Sequence, residues 1–234
     1  KNEGAYLRSL PDSLDIVTLA NSENISTYDR EDIPLLQEKS TKVLYRVDYA
    51  SQAAILSDAA KLGAFLDKAI ATATELNLNG FAFTGMPLYS GTEAELAARK
   101  EAAKLIVSRL SAAASGDKLL VLDGDPAFVE TSDIEKLDYI VLNTVDITNV
   151  TTLKLLVTGL LDNQSLPKEK LLLAAKINNQ IIDETNVKQD AVTVMTERVV
   201  SLGPLGGLAI FATGDDYYQT KMHYAITRTA IQLM

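Results

Sequence analysis

Eight side chains that can form hydrogen bonds stand where short apolar runs of the sequence end. They are Asp48, Tyr49, Thr84, Asp123, Asn143, Asp146, Lys176 and Tyr217. Carboxylate, amide, hydroxyl and ammonium groups beside an aromatic ring can satisfy the hydroxyl groups and the ring face of a sugar. The set can therefore hold a carbohydrate, and these eight residues are the candidate ligand-binding residues. The alternative, that each residue only caps a loop or belongs to a solvated turn, stays open.

The tetrapeptide DGDP, which begins at Asp123, has two interpretations. Asp123 can project inward from a strand end as one half of an acid/base pair. The Asp, Gly and Pro residues can instead simply make a turn, which their chemistry favours. Lys176 can likewise form a Schiff base, or it can pair with Asp146 or Asp123, which is the usual outcome for an interior lysine.

Composition excludes several kinds of chemistry. The 234 residues include no cysteine, so disulfides, thiolate zinc sites and a cysteine nucleophile are ruled out. The single histidine, His223, falls within a predicted helix, and any Ser-His-Asp triad would have to use it as the base. A net charge of −9 argues against nucleic-acid binding, which needs clustered Lys and Arg. We expect no metal and no cofactor.

Apolar runs rich in β-branched residues predict seven strands, at residues 14–20, 42–50, 79–86, 118–126, 137–146, 170–177 and 206–214. Helical patterns lie between these runs, at residues 55–76, 91–115, 133–136, 152–161, 191–202 and 217–233. Ser26 or Thr27 is suited to cap a further helix that runs into Leu36. Thr92 and Glu95 have the spacing of a capping box.

The alternation of short buried strands with amphipathic helices predicts a parallel sheet covered by helices. Seven such units indicate an α/β fold of the TIM (β/α)8-barrel type that is one strand short. Its first strand either precedes Lys1 or is replaced by an irregular segment. No linker or change in composition interrupts residues 1–234, which are therefore predicted to form a single barrel domain. In such a barrel the C-terminal strand ends face the functional mouth.

Five stretches, in this order, resemble successive strands of glycoside hydrolase family 18. They read PDSLDIVTLA, KVLYRVDYA, NGFAFTGM, LDYIVLNTVD and GGLAIFATGDDY. The similarity covers almost the whole chain and is nearest to bacterial endo-β-N-acetylglucosaminidase-like and chitinase-like members of the Bacteroidetes branch. It implies a glycan ligand and a place at the bacterial cell surface or in the periplasm. A lipid anchor upstream of Lys1 is also expected, whereas no apolar run approaches the roughly 20 residues that span a bilayer.

The resemblance also implies that the family's catalytic acids are missing. The family signature on the central strand is D-x-x-D-x-D-x-E, in which the Glu is the general acid and the Asp two residues earlier orients the substrate's N-acetyl group. The corresponding residues here are Asn79, Ala82, Thr84 and Met86. None of them can ionise. Val145 and Phe211 stand where the family has a supporting Tyr and a Trp in the sugar pocket, and the chain contains no Trp.

Three functions remain after this comparison of residues. The leading hypothesis is a non-catalytic glycan-binding pseudoenzyme that takes N-acetylglucosamine-containing carbohydrate, of the chitin or N-glycan type, at the C-terminal mouth of the barrel. The alternative is an active glycoside hydrolase whose acids have moved, for instance to Asp123 or Asp146. The third is a structural barrel without a sugar site.

Overall fold

A computed structural model describes residues 3–85, 91–164 and 166–234. Seven strands are hydrogen-bonded in the order in which they occur in the chain. They are β1 Ile16–Leu19, β2 Lys42–Asp48, β3 Gly80–Gly85, β4 Leu119–Gly124, β5 Tyr139–Val141, β6 Leu171–Lys176 and β9 Gly207–Phe211. The two strands between β6 and β9, β7 Gln180–Ile182 and β8 Lys188–Asp190, form a separate sheet. The pairs β1–β2, β2–β3, β3–β4 and β6–β9 are parallel. All seven predicted strands are therefore confirmed, although Met86, the last residue predicted for the third, lies outside the described residues.

Seven helices alternate with these strands in the described part of the chain. They are α1 Thr27–Glu38, α2 Ala59–Glu75, α3 Glu93–Ala113, α4 Thr131–Ile134, α5 Val150–Asn163, α6 Ala191–Ser201 and α7 Ala225–Leu233. Ser26 caps α1, and the capping box of Thr92 and Glu95 on α3 is confirmed. The helix predicted for residues 217–233 begins only at Ala225, because Tyr224 adopts a left-handed backbone with φ 58° that a helix cannot contain.

The fold is of the α/β barrel type, with parallel strands joined by helices. The chain divides into two compact units, Asp15–Ile140 and Lys1–Leu14 with Val141–Met234. The prediction of one domain over residues 1–234 stays a prediction. Among the described helices, none combines the length and the apolar character needed to cross a membrane.

The unit Asp15–Ile140 contains β1 to β4, and the side chains of these strands alternate between two faces. One face carries large rings: Tyr45 packs against Phe81, and Tyr49 packs against Phe83, with ring centroids 6.5 and 6.3 Å apart. These four rings are almost completely buried. Because successive side chains of a strand point to opposite faces, residues such as Arg46 belong to the other face.

In the other unit, the strand predicted for residues 137–146 ends early, at Val141. The backbone amide of Leu142 still donates to Leu172, but the chain then bends, and the amide of Thr144 turns back to the carbonyl of Leu142. The Thr144 hydroxyl takes over the pairing with β6, since it donates to the carbonyl of Ala174 and accepts from its amide, both at 2.7 Å. A side chain therefore replaces the backbone in this part of the strand pairing.

A two-stranded hairpin between β6 and α6 was not predicted from the sequence. Its strands, β7 Gln180–Ile182 and β8 Lys188–Asp190, are antiparallel. Hydrogen bonds from Gln189, Val187 and Thr185 to the Asp183 carboxylate organise its turn and hold the pKa of Asp183 well below its usual value. The signal that was available is local turn chemistry. An Asp side chain can accept hydrogen bonds from the turn, as Asp183 does, and an Asn tolerates a left-handed backbone, as Asn186 does with φ 62°.

Candidate functional site

Three of the predicted ligand-binding residues lie side by side at the C-terminal ends of β2, β3 and β4. In the strand register Asp48 is paired with Thr84, and Thr84 is paired with Asp123. Neighbouring strands are about 4.8 Å apart, so the Cα atoms of Asp48 and Asp123 are roughly 10 Å apart. Residues paired in this way point to the same face of a sheet. The three side chains therefore form one polar row across three strands.

Arg46 completes this row and was missed in the sequence analysis. It lies two residues before Asp48 in β2 and therefore on the same face. Its Nη2 atom is 3.5 Å from Oδ2 of Asp48 and 3.5 Å from Oγ1 of Thr84. The Arg46 and Asp48 side chains are 35% and 36% exposed, so solvent reaches both. The available signal was a charged residue inside the otherwise apolar stretch KVLYRVD, in step with the Asp at its end.

The Asp123 carboxyl group is half-buried, and no residue that the structure describes donates a hydrogen bond to it. Burial raises its pKa above the usual value, because a desolvated carboxylate is disfavoured. The positive charge of Arg46 opposes this change, and the negative charge of Asp48 adds to it. Asp123 therefore holds its proton more strongly than an exposed aspartate does.

Asp123→Asn should gain stability relative to wild type as the pH rises from acid to neutral. A carboxyl whose pKa is raised by folding stabilises the folded state below the unfolded pKa, and this stabilisation disappears as the pH rises through the folded pKa. Asn cannot ionise and loses nothing over that range. Urea unfolding at a series of pH values from 4 to 7 should show the difference between Asp123→Asn and wild type shifting in favour of the variant. A difference that is constant with pH would contradict the raised pKa.

The remaining predicted residues of this unit have packing and turn roles. Tyr49 is 6% exposed, its ring packs on Phe83, and burial raises the pKa of its phenol. The backbone amide of Tyr49 donates to the carbonyl of Thr84. Asp125 accepts a hydrogen bond from the amide of Ala127, which confirms the turn predicted for the end of DGDP.

Of the residues that the resemblance aligns with the family signature, Asn79 directly precedes β3, and Ala82 and Thr84 lie in it. The Oδ1 atom of Asn79 accepts hydrogen bonds from the amide of Val43 and from Nε2 of Gln37, each at 2.9 Å, and so fixes the start of β3 beside β2. Ala82 is buried, and Thr84 is the residue that Arg46 contacts. Met86 lies outside the described residues.

The other predicted residues belong to the second unit, which contains Val141–Met234. Asn143 and Asp146 are exposed in the turn after β5, and Lys176 is exposed at the end of β6. Tyr217 is 7% exposed, and its ring centroid is 4.1 Å from that of His223. Its hydroxyl donates a hydrogen bond to the carboxylate of Glu3.

Val145 and Phe211 lie in or next to strands of the second unit. Val145, which the resemblance aligns with the family's supporting Tyr, is half-buried, and its carbonyl accepts a hydrogen bond from Asn179. Phe211 ends β9 and is 38% exposed. No group of three or more His, Cys, Asp or Glu side chains within the described residues is placed to hold a metal ion.

Solved structures of carbohydrate-active enzymes share this fold. Neither protein-family profiles nor curated protein sequences gave a match. The endo-β-N-acetylglucosaminidase of Cordyceps militaris is 16% identical with a TM-score of 0.69, over 97% of this chain and 82% of that chain. A double mutant of it was solved with fucosyl-N-acetylglucosamine-Asn.

Two bacterial enzymes give the same result. A GH18 chitinase from Pseudoalteromonas aurantia is 15% identical with a TM-score of 0.65, over 98% of this chain and 97% of that chain. The GH18 chitinase ChiB of Flavobacterium johnsoniae is 14% identical with a TM-score of 0.64, over 95% and 87%. At these identities the likeness is one of fold. The chain therefore has the α/β barrel-type fold of GH18 chitinases and endo-β-N-acetylglucosaminidases.

Proposed function

We propose that this protein is a non-catalytic glycan-binding relative of the family 18 glycoside hydrolases. It binds N-acetylglucosamine-containing carbohydrate, of the chitin or N-glycan type, at the C-terminal ends of β2, β3 and β4. The polar row of Asp48, Thr84 and Asp123, with Arg46 beside it, is the observation that carries the proposal. In the same proposal the protein acts at a bacterial cell surface or in the periplasm.

The chemistry of the row suits a sugar. Arg46 supplies N–H donors, Asp48 supplies carboxylate acceptors, and Thr84 supplies a hydroxyl that can both donate and accept. A pyranose ring presents hydroxyl groups of both kinds around its edge, so a row of alternating donors and acceptors can satisfy several of them together. The fold that the chain shares with an endo-β-N-acetylglucosaminidase and a GH18 chitinase supports the choice of ligand.

The residues that the resemblance aligns with the family's catalytic acids do not support the family's route of hydrolysis. Family 18 needs a carboxyl group that protonates the leaving oxygen and a second one that orients the N-acetyl group. Ala82 offers only a methyl group, and the Thr84 hydroxyl lies against Arg46. A thioether at Met86 has no proton to give. General acid catalysis alone contributes roughly 10²–10⁴-fold to a rate, so its loss should leave binding without turnover.

Isothermal titration calorimetry with chitohexaose and with an N-glycan core, followed by a reducing-end assay on the same samples, tests the proposal. We expect saturable heat and no newly released reducing ends. The matched variants are Asp48→Asn, in the row, and Asp162→Asn, at the exposed end of α5, and each removes one carboxylate. Binding should weaken only for Asp48→Asn. No heat with any such glycan, or equal loss in both variants, would refute the proposed site.

A second candidate, an active hydrolase with relocated acids, is favoured by one observation. Burial raises the pKa of Asp123, whereas Asp48 lies next to Arg46, and a pair of carboxyl groups in such different environments can serve as acid and base. This candidate predicts released reducing ends that Asp123→Asn abolishes. The absence of product from chitin-type and N-glycan-type substrates would eliminate it for those substrates.

A further inference from the structure

We infer that the glycan bound at this site carries a carboxylate sugar, such as a uronic acid, next to its N-acetylglucosamine, and that Arg46 binds the carboxylate. The inference rests on the proposed glycan-binding function and adds to it an acidic sugar. It assigns Arg46 the role of the residue that determines specificity. Its support comes from the N–H donors that Arg46 leaves unused.

The guanidinium group of Arg46 is only weakly occupied by the protein. Both of its contacts involve the same atom, Nη2, and both are 3.5 Å long, at the outer limit for a hydrogen bond. Its Nη1 and Nε atoms make no hydrogen bond to any residue within the described ranges. A guanidinium has five N–H donors in a planar fork, and this fork matches the two oxygens of a carboxylate.

Asp48 and Thr84 restrain Arg46 without satisfying it. The Oδ1 atom of Asp48 accepts a hydrogen bond from the amide of Ser51 at 3.2 Å, which holds the carboxylate at the strand end. Its Oδ2 atom then faces Nη2 of Arg46 from one side. An arginine that is positioned in this way loses less conformational entropy when a ligand binds, since less of its rotamer freedom remains to be lost.

A carboxylate fits the open side of Arg46 better than a neutral group does. The carboxyl of Asp123 has no hydrogen-bond partner in the described part of the chain, and burial raises its pKa, so it opposes a bound anion less than an exposed aspartate at the same place would. A ligand carboxylate has two oxygens, which match two N–H groups of the Arg46 fork. An acetamido carbonyl has a single oxygen and leaves one arm of the fork unmatched.

Three hexasaccharides compared on the unaltered protein test this inference. A hyaluronan hexasaccharide alternates N-acetylglucosamine with glucuronate, its carboxyl-reduced form has the same skeleton without charge, and chitohexaose has N-acetylglucosamine alone. Calorimetry should give at least tenfold tighter binding of the acidic hexasaccharide than of its reduced form. Arg46→Gln should remove this difference. Arg46→Lys should keep part of it, because lysine retains the charge but not the planar fork.

The outcomes separate the inference from the function on which it rests. Equal affinity for the acidic and reduced hexasaccharides, or tighter binding of chitohexaose, overturns the carboxylate preference and leaves the glycan-binding proposal standing. Failure of all three to bind overturns both. A preference for the acidic ligand that survives in Arg46→Gln shows that another residue binds the carboxylate. The comparison of ligands uses wild-type protein, so it stands even if a variant fails to fold.

Discussion

Asp216→Ala should lower the free energy of unfolding by about 2–4 kcal/mol, since it removes a buried cap that has several hydrogen bonds to the start of a helix. Asp216 is completely buried. Its carboxylate accepts hydrogen bonds from the amides of Ile226 and Thr227 and from the Thr227 hydroxyl, at 3.2, 2.8 and 2.8 Å. These groups belong to the first turn of α7, where a negative charge also interacts favourably with the helix dipole.

Thermal or urea unfolding of the variant measures this loss, which corresponds to a decrease in Tm of roughly 5–15 °C for a chain of this size. The neighbouring Asp215 is exposed, and Asp215→Ala removes an equal negative charge one residue earlier in the chain. The control should change stability by less than about 0.5 kcal/mol, as surface substitutions usually do. Equal effects of the two substitutions would show that the cap is not what stabilises α7.

Thr144→Val should destabilise the protein by about 2–4 kcal/mol, although the two side chains have almost the same shape. The Thr144 hydroxyl is buried and bonds to both the amide and the carbonyl of Ala174 in β6. Valine would leave both backbone groups without a partner, and each unpaired buried group costs about 1–3 kcal/mol.

Thr196→Val is the matched control for this substitution. Thr196 is equally buried, but its hydroxyl donates only to the carbonyl of Val192 one helical turn earlier. That carbonyl is an acceptor for the helix backbone as well, so the control should change stability by less than about 1 kcal/mol. Chemical denaturation of both variants provides the comparison. A loss in Thr144→Val no larger than in the control would contradict the role of Thr144 as a replacement for strand pairing.

The fold could be predicted from the sequence because its central strands are largely buried and read as nearly continuous apolar runs. The end of β5 could not be predicted in this way. Residues 142–146 continue the run with the β-branched Thr144 and Val145, yet the hydroxyl of Thr144 pairs with β6 where the backbone would otherwise do so. The hairpin of β7 and β8 is polar and exposed, and therefore carries no hydrophobic periodicity.

The site shows the same division between local and long-range information. Asp48, Thr84 and Asp123 were predicted because each ends a strand, and parallel strands place such ends at one edge. The sequence marks Arg46 only as a charged residue in step with Asp48, and its contact with Thr84 depends on the strand register. The hydrogen bonds of Asn79 to Val43 and Gln37 likewise depend on the pairing of β3 with β2.

The most direct test of the account is a titration of ¹⁵N-labelled protein with chitohexaose, monitored by amide chemical shifts. We predict saturable shifts at the amides of Asp48, Thr84 and Asp123, together with shifts of the Arg46 side-chain N–H, because these residues form the proposed row. The hairpin at residues 180–190 serves as an internal reference and should not shift. Saturable shifts confined to other residues, or an unchanged spectrum at millimolar ligand, would contradict glycan binding at this site.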